Sequence, residues 1–284
     1  MSNRVVLLGT KGGPAIYPAA ADRMPTSSLL QLGGETVVID CGLGVSRRLV
    51  ETGLDLKQLS TIVITHLHSD HYLELGPLIY TAWTAGLAAP VRVIGPTGLA
   101  DYWQAFLQSM AFDIETRIAD EGRPPLADLV DVQPIALDHH VGDVSLTTCL
   151  NRHPPIQECY ALRFEGEGKA VVFSGDTAPF DGMADFARDA NLLVHEAMIG
   201  EGVDRLVARV GNGERLKAHL EASHTEAKDV GRLALNANVK QLALHHLVPS
   251  DDPLVGEQVW EDAVRSGGYV GPLIIGRDLT EIGL

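Results

Sequence analysis

The chain has 284 residues, 45% of them hydrophobic, which supplies a sizeable core and allows one large domain or two small ones. Its formal net charge of −15 repels polyanions, so nucleic acid and anionic membranes are poor default partners. The four apolar residues before Gly9 are too few for a signal-peptide core, and no run approaches the ~18 apolar residues of a membrane span.

Runs of apolar and β-branched residues predict strands at 5–8, 28–32, 36–40 and 61–64. Helical periodicity follows at 73–85, then a strand at 91–94 and a helix at 99–112. The second half repeats the style, with strands at 144–150, 160–164, 170–174 and 192–194. Helices at 225–237 and 254–266 then flank a strand at 241–244. Val203, Leu206, Val207 and Val210 form an i, i+3, i+4, i+7 stripe that suits a lid, a dimer face or an ordinary core-packed helix. No linker or shift in composition interrupts the chain, so we expect one domain over 1–284, with two sheets covered by helices on both outer faces. Cys41, Cys149 and Cys159 form no CxxC pair, which argues against a disulfide framework and fits a reducing cytoplasm.

The segment Thr65-His66-Leu67-His68-Ser69-Asp70-His71 carries the strongest chemical signal. It follows the apolar run 61–64, so its ligand-type side chains sit on the loop leaving a strand's carboxyl end, where α/β sheets hold their sites. His66 and His68 can point the same way, while Asp70 and His71 project differently and can serve a second ion. Nitrogen and carboxylate-oxygen donors suit Zn, Mn or Fe.

Further candidates also follow strands. His153 is held by Pro154-Pro155, and Asp176 follows Gly175, which allows a sharp turn. His245 and His246 are neighbours that point opposite ways, and His246, further out of the strand, is the chosen ligand. Glu196 follows the strand at 192–194, and His224 opens the helix at 225–237; such a pair can hold a histidine protonated as a general acid. The glycine-rich stretch 9–13 matches no phosphate-loop spacing and reads as a turn, while His139, His140 and His219 read as solvated loop residues.

At this point the sequence resembles the metallo-β-lactamase superfamily of dinuclear hydrolases, through His66, His68, Asp70 and His71 followed in order by His153, Asp176 and His246. Leu8-Gly9-Thr10, Val38-Ile39-Asp40-Cys41-Gly42, His195-Glu196-Ala197 and Ser223-His224-Thr225 are similar to the ribonuclease Z and arylsulfatase-like branch. The resemblance implies an α/β fold, a four-layer αββα sandwich, with two divalent ions, zinc first and Mn or Fe as substitutes. His66, His68 and His153 would hold one ion, Asp70, His71 and His246 the other, and Asp176 would bridge them. Asp40 would be a buried supporting aspartate, Asp70 would also accept the nucleophile's proton, and His224 with Glu196 would protonate the leaving group.

Two departures from ribonuclease Z weigh against tRNA processing: only 22 residues separate His153 from Asp176, leaving no room for a long tRNA-gripping arm, and Met198 replaces the threonine of its His-Glu-Ala-Thr motif. Trp83-Thr84-Ala85-Gly86 and Gly95-Pro96-Thr97-Gly98 are more similar to the arylsulfatase-like branch. The leading expectation is therefore a cytoplasmic hydrolase of a small sulfate ester or phosphodiester, with a homodimer as one option for its assembly, nucleic acid disfavoured as a partner and no membrane partner. A lactone, carboxylic ester or amide hydrolase, a tRNA 3′ endonuclease and a non-catalytic binding module are the alternatives.

Overall fold

The computed structural model describes residues 3–135 and 138–284. Among these residues fourteen strands form two seven-stranded sheets. The first contains β1 (Arg4–Gly9), β2 (Ser27–Leu32), β3 (Glu35–Ile39), β4 (Thr61–Val63), β5 (Val91–Gly95) and β6 (Val130–Pro134). The second contains β7 (Asp138–Val141), β8 (Val144–Leu150), β9 (Tyr160–Gly166), β10 (Lys169–Phe173), β11 (Leu192–Met198), β12 (Leu242–Val248) and β13 (Leu273–Ile275). The last strand, β14 (Thr280–Gly283), returns to the first sheet and pairs antiparallel with β1.

The sheets are built alike. In the first, β14-β1-β2-β3 are antiparallel neighbours, and β3-β4-β5-β6 are parallel. In the second, β7-β8-β9-β10 are antiparallel and β10-β11-β12-β13 are parallel. The doubling in the sequence is thus a doubling of sheet topology.

Three apolar layers explain why the strands read as continuous hydrophobic runs, since both faces of each sheet are covered. Leu7, Leu30, Ile39 and Val63 of the first sheet meet Leu162, Phe164, Val171 and Val194 of the second. The alternate residues Val6, Leu8, Val38 and Ile62 face outward against helices bearing Leu49, Leu78, Trp83 and Trp103. The outer face of the second sheet packs Val172, Leu193 and Leu244 against Val230, Ala234 and Trp260. The four-layer αββα sandwich follows from these three interfaces.

Ten strands coincide with predicted ones, whereas β6, β7, β13 and β14 were not expected, and His139 and His140 lie on β7 rather than in a loop. The helix expected at 73–85 forms as Leu75–Thr84, preceded by an unexpected one-turn helix Ser69–Tyr72, and the one expected at 99–112 ends at Ser109 and is followed by a second helix, Ala111–Glu121. The apolar stripe falls on the helix Gly200–Val207, which pairs with Gly213–Ser223 and packs Val203 and Leu220 on Met198 and Val248. No helix among the described residues is long and apolar enough to cross a membrane.

Candidate metal centre

Strand ends from both sheets converge on one edge of the sandwich. The loop leaving β4 supplies His66 and His68, and the one-turn helix Ser69–Tyr72 carries Asp70 and His71. The segment after β8 brings His153, the turn after β10 brings Asp176, and β12 brings His246. Ligand-type atoms of His66, His68, His153 and Asp176 lie within 4.8 Å of one another, and so do those of Asp70, His71 and His246.

Local backbone features aim these side chains. β12 carries a bulge: His245 pairs with Glu196 and Leu247 with Ala197, so His246 is the extra residue, at φ 44°. The bulge turns His246 into the cluster. His245 instead donates through Nε2 to the Gly9 carbonyl at 2.8 Å. Gly175 has φ +57°, and a Cβ there would fall 2.5 Å from the Tyr160 carbonyl oxygen. Gly175→Ala should therefore destabilise by about 1–3 kcal/mol, because both a left-handed backbone and a steric clash must be relieved. A thermal melt should show a fall of at least ~3 °C; an unchanged midpoint would mean that the turn relaxes freely.

Hydrogen bonds behind the cluster set the imidazole tautomers. His71 donates through Nδ1 to Asp40 Oδ2 at 2.7 Å, while Thr65 N–H donates to Asp40 Oδ1 at 2.8 Å. The Thr65 hydroxyl donates to Asp40 and accepts from His66 Nδ1 at 3.1 Å. His153 Nδ1 donates to the Ser223 carbonyl at 3.0 Å. Each of these rings therefore presents its Nε2 lone pair to the cluster, the arrangement that orients metal-binding histidines. Asp40 reaches under His71 from a left-handed backbone, φ 59°, a strained conformation held by these partners.

The donor set fits divalent cations. His68 Nδ1 lies 3.1 Å from His66 Nε2 and 3.0 Å from His153 Nε2. Ligands on a tetrahedral ion with bonds of ~2.0–2.1 Å stand about 3.3 Å apart. Asp176 Oδ2 lies 3.1 Å from His246 Nε2, 3.4 Å from His71, 3.8 Å from His66 and 3.9 Å from His153. Buried His71 Nε2 and Asp176 Oδ1 have no hydrogen-bond partner, a deficit that a cation would remove. Burial, reinforced by neighbouring imidazoles, pushes His66 well below its ordinary pKa and His68 down to about 4, favouring the neutral form that binds metal. Burial would raise the Asp70 carboxyl, but His71 and His246 hold it below the usual carboxylate range.

Glu196 and His224 complete the site, though their settings differ from those expected. Glu196 lies within β11 rather than after it, and His224 follows the end of the helix Gly213–Ser223. Glu196 Oε1 accepts from the backbone N–H groups of Thr177 (3.1 Å) and Thr225 (3.0 Å). Its Oε2 stands 3.3 Å from His224 Nδ1. Burial alone would lower the His224 pKa, but the Glu196 carboxylate overcomes this and carries it up to about 9. The His224 ring stacks on His246 at 5.3 Å between centroids.

Sequence reasoning missed several participants. His219, expected in a solvated loop, is half-buried on the helix Gly213–Ser223, its ring 6.0 Å from those of His68 and His153. Its spacing of five residues from His224 was the available signal, but only the fold turns that helix end over the cluster. Asn151 Nδ2 donates to the Ser174 and Asp176 carbonyls at 2.7 and 3.1 Å, fixing the Asp176 turn. At the cluster opens a cavity of about 330 Å³, lined by Lys11, His68, Asp176, His219 and His224 together with apolar residues including Leu206.

Solved structures share this architecture. The metallo-β-lactamase fold protein YhfI of Bacillus subtilis superposes with a TM-score of 0.72 at 20% identity, over 98% of each chain. The short form of human tRNase Z gives a TM-score of 0.69 at 18% identity, over 99% of this chain and 98% of that one. With the site, this defines the class: a metallo-β-lactamase fold whose His/Asp cluster has the donor set of a divalent-metal site. Ribonuclease Z of Mycobacterium bovis is 32% identical over 288 aligned residues, 98% of this chain and 97% of its own length. Residues 5–207 also match the family model described as anti-Pycsar protein Apyc1. The chain belongs to the ribonuclease Z family, within the reach of that Apyc1 model, and is a hydrolase acting on ester bonds.

These relatives correct two expectations. The reading of nucleic acid as an unfavoured partner is overturned, because relatives along the whole chain are ribonucleases by name. Net charge averages over the entire surface, whereas gripping RNA needs cations only where the strand lies. The short His153–Asp176 connection does not separate this chain from them either, since coverage of 98% and 97% leaves no long segment that the relative has and this chain lacks. The arylsulfatase-like assignment, built on short loop motifs, finds no support among these relatives.

Proposed function

We propose that the chain hydrolyses phosphodiester bonds in RNA, using two divalent cations, zinc first among them. The observation that carries this reading is the complete seven-residue donor set beside the Glu196–His224 pair, in a chain related along its whole length to ribonuclease Z. His66, His68 and His153 would hold one ion, Asp70, His71 and His246 the second, and Asp176 would be shared between them. Cations held there would supply Lewis acidity, lowering the pKa of water and offsetting charge on a phosphoryl group. Asp70, fixed by the Gly13 N–H at 2.8 Å, takes the proton of the attacking water. His224 delivers a proton to the departing oxygen, and Glu196 keeps that imidazole charged.

A substrate panel on metal-reconstituted protein tests this reading. A tRNA precursor with a 3′ extension and bis(p-nitrophenyl) phosphate should both be hydrolysed, and p-nitrophenyl sulfate and a lactone should be poor substrates. Diester turnover without RNA cleavage would remove RNA as the substrate. Faster turnover of the sulfate or the lactone would overturn the phosphodiester assignment itself.

A further inference from the structure

The loop leaving β1 wraps the Asp70 and His246 side of the cluster. Lys11 forms backbone bridges to both Pro25 and Leu247, and Gly13 N–H holds Asp70. Gly12 packs so closely that a Cβ there would lie 2.8 Å from His246 Cε1. This seating leaves Lys11 only 5% exposed. Its Nζ donates to the carbonyls of Gly12 at 2.7 Å and Gly13 at 2.9 Å. An ammonium has three protons to donate, and these carbonyls take two.

No ion pair among the described residues includes Lys11. The carboxylates whose charge it feels, Asp70 and Asp251, are engaged elsewhere: Asp70 with His71 and His246, and Asp251 with Arg209. A buried cation without a counter-ion is unfavourable unless something else supplies the negative charge. Lys11 lines the cavity at the cluster, and among the described lining residues it is the single lysine or arginine. The anion must therefore come from whatever occupies the cavity, and a lysine is a point charge well suited to a phosphate oxygen.

We infer that Lys11 is a specificity-determining contact, whose ammonium takes a non-bridging oxygen of the substrate phosphate as the counter-ion that the fold withholds. This inference rests on the phosphodiester reading above. It gives the site a preference for anionic diesters over neutral esters with the same leaving group.

The test uses metal-loaded wild-type, Lys11→Met and Lys11→Arg proteins of verified metal content. Bis(p-nitrophenyl) phosphate is compared with a neutral p-nitrophenyl ester, and inorganic phosphate is titrated calorimetrically. In Lys11→Met the ratio of diester to neutral-ester kcat/KM should fall at least ~10-fold, mainly through KM for the diester, with a similar weakening of phosphate binding. Lys11→Arg should keep most of both, because the charge stays. Equal losses on both esters, or unchanged phosphate affinity in Lys11→Met, would overturn the inference and leave Lys11 as a prop for the loop carbonyls. Should wild-type protein hydrolyse no diester, the phosphodiester reading falls, and the phosphate titration still decides the role of Lys11.

Discussion

Asp176→Ala protein should bind less than one equivalent of divalent metal, where the parent chain should approach two, and should lose at least ~100-fold in turnover. The size follows from position. Outer partners of metal ligands already contribute ~10–100-fold to affinity or activity, and Asp176 stands closer than they do. Its Oδ2 lies within 3.9 Å of Nε2 atoms on four histidines drawn from both donor sets. Burial should raise this carboxyl, yet His246 and His71 hold it well below the usual range, so it is a permanent anion at neutral pH. Removing it leaves both sets without their common negative charge. Metal analysis by mass spectrometry, with Asp176→Asn as a same-shape control, reads the result directly. Loss of a single ion with the other retained would show that Asp176 belongs to one set alone, and full occupancy would remove it from the centre.

His224→Ala should slow cleavage of substrates with alkoxide leaving groups by ~10²–10⁴-fold, the usual span of general acid catalysis, and should slow the p-nitrophenyl analogue far less. A p-nitrophenolate departs without a proton, so the two substrates separate acid catalysis from damage to the site. The geometry supports an acid: His224 Nδ1 is 3.3 Å from Glu196 Oε2, and the residue sits at the negative end of the helix Gly213–Ser223. With a pKa raised to about 9, the imidazolium is present through neutral pH and is lost as pH rises through that value, so the acid-dependent rate should fall on the alkaline side. Glu196→Gln should bring that fall to lower pH by about 1–3 units, the usual effect of losing an opposite charge at this range. His224 also lies near enough to Asp176 and His246 to join a ligand set. Equal slowing of both substrates accompanied by loss of metal would make His224 a ligand rather than an acid.

Much of the fold was legible because the central strands are buried on both faces. Val5-Val6-Leu7-Leu8 and Thr61-Ile62-Val63 send alternate residues into different apolar layers, so each reads as an unbroken hydrophobic run. The four strands that escaped notice, β6, β7, β13 and β14, are the four sheet edges. An edge strand has one neighbour and can expose its other side, so it needs no such run. Val130–Pro134 has no fully buried position, exposes Asp131 and Pro134, and carries a polar Asp131 and Gln133. Its strand character comes from parallel pairing with β5, which no local pattern records.

The residues of the cluster were readable from type, order and position after strands, because a strand's carboxyl end is where this architecture opens. Their supports were not. Asp40, separated by 31 positions from His71, was reached only through the family resemblance, and Gly13, separated by 57 positions from Asp70, had no local signature. The class of chemistry was already legible, since three histidines and an aspartate within six positions leave few uses other than metal binding. Tertiary structure supplied the reason that His246 rather than His245, as its place further out of the strand suggested, faces the cluster: a bulge set by pairing with β11 turns one ring inward while Gly9 captures the other. It also decided that His219 and Lys11 border the cavity, because burial and charge compensation depend on which distant segments pack together, and sequence spacing carries that information only within a single helix or strand.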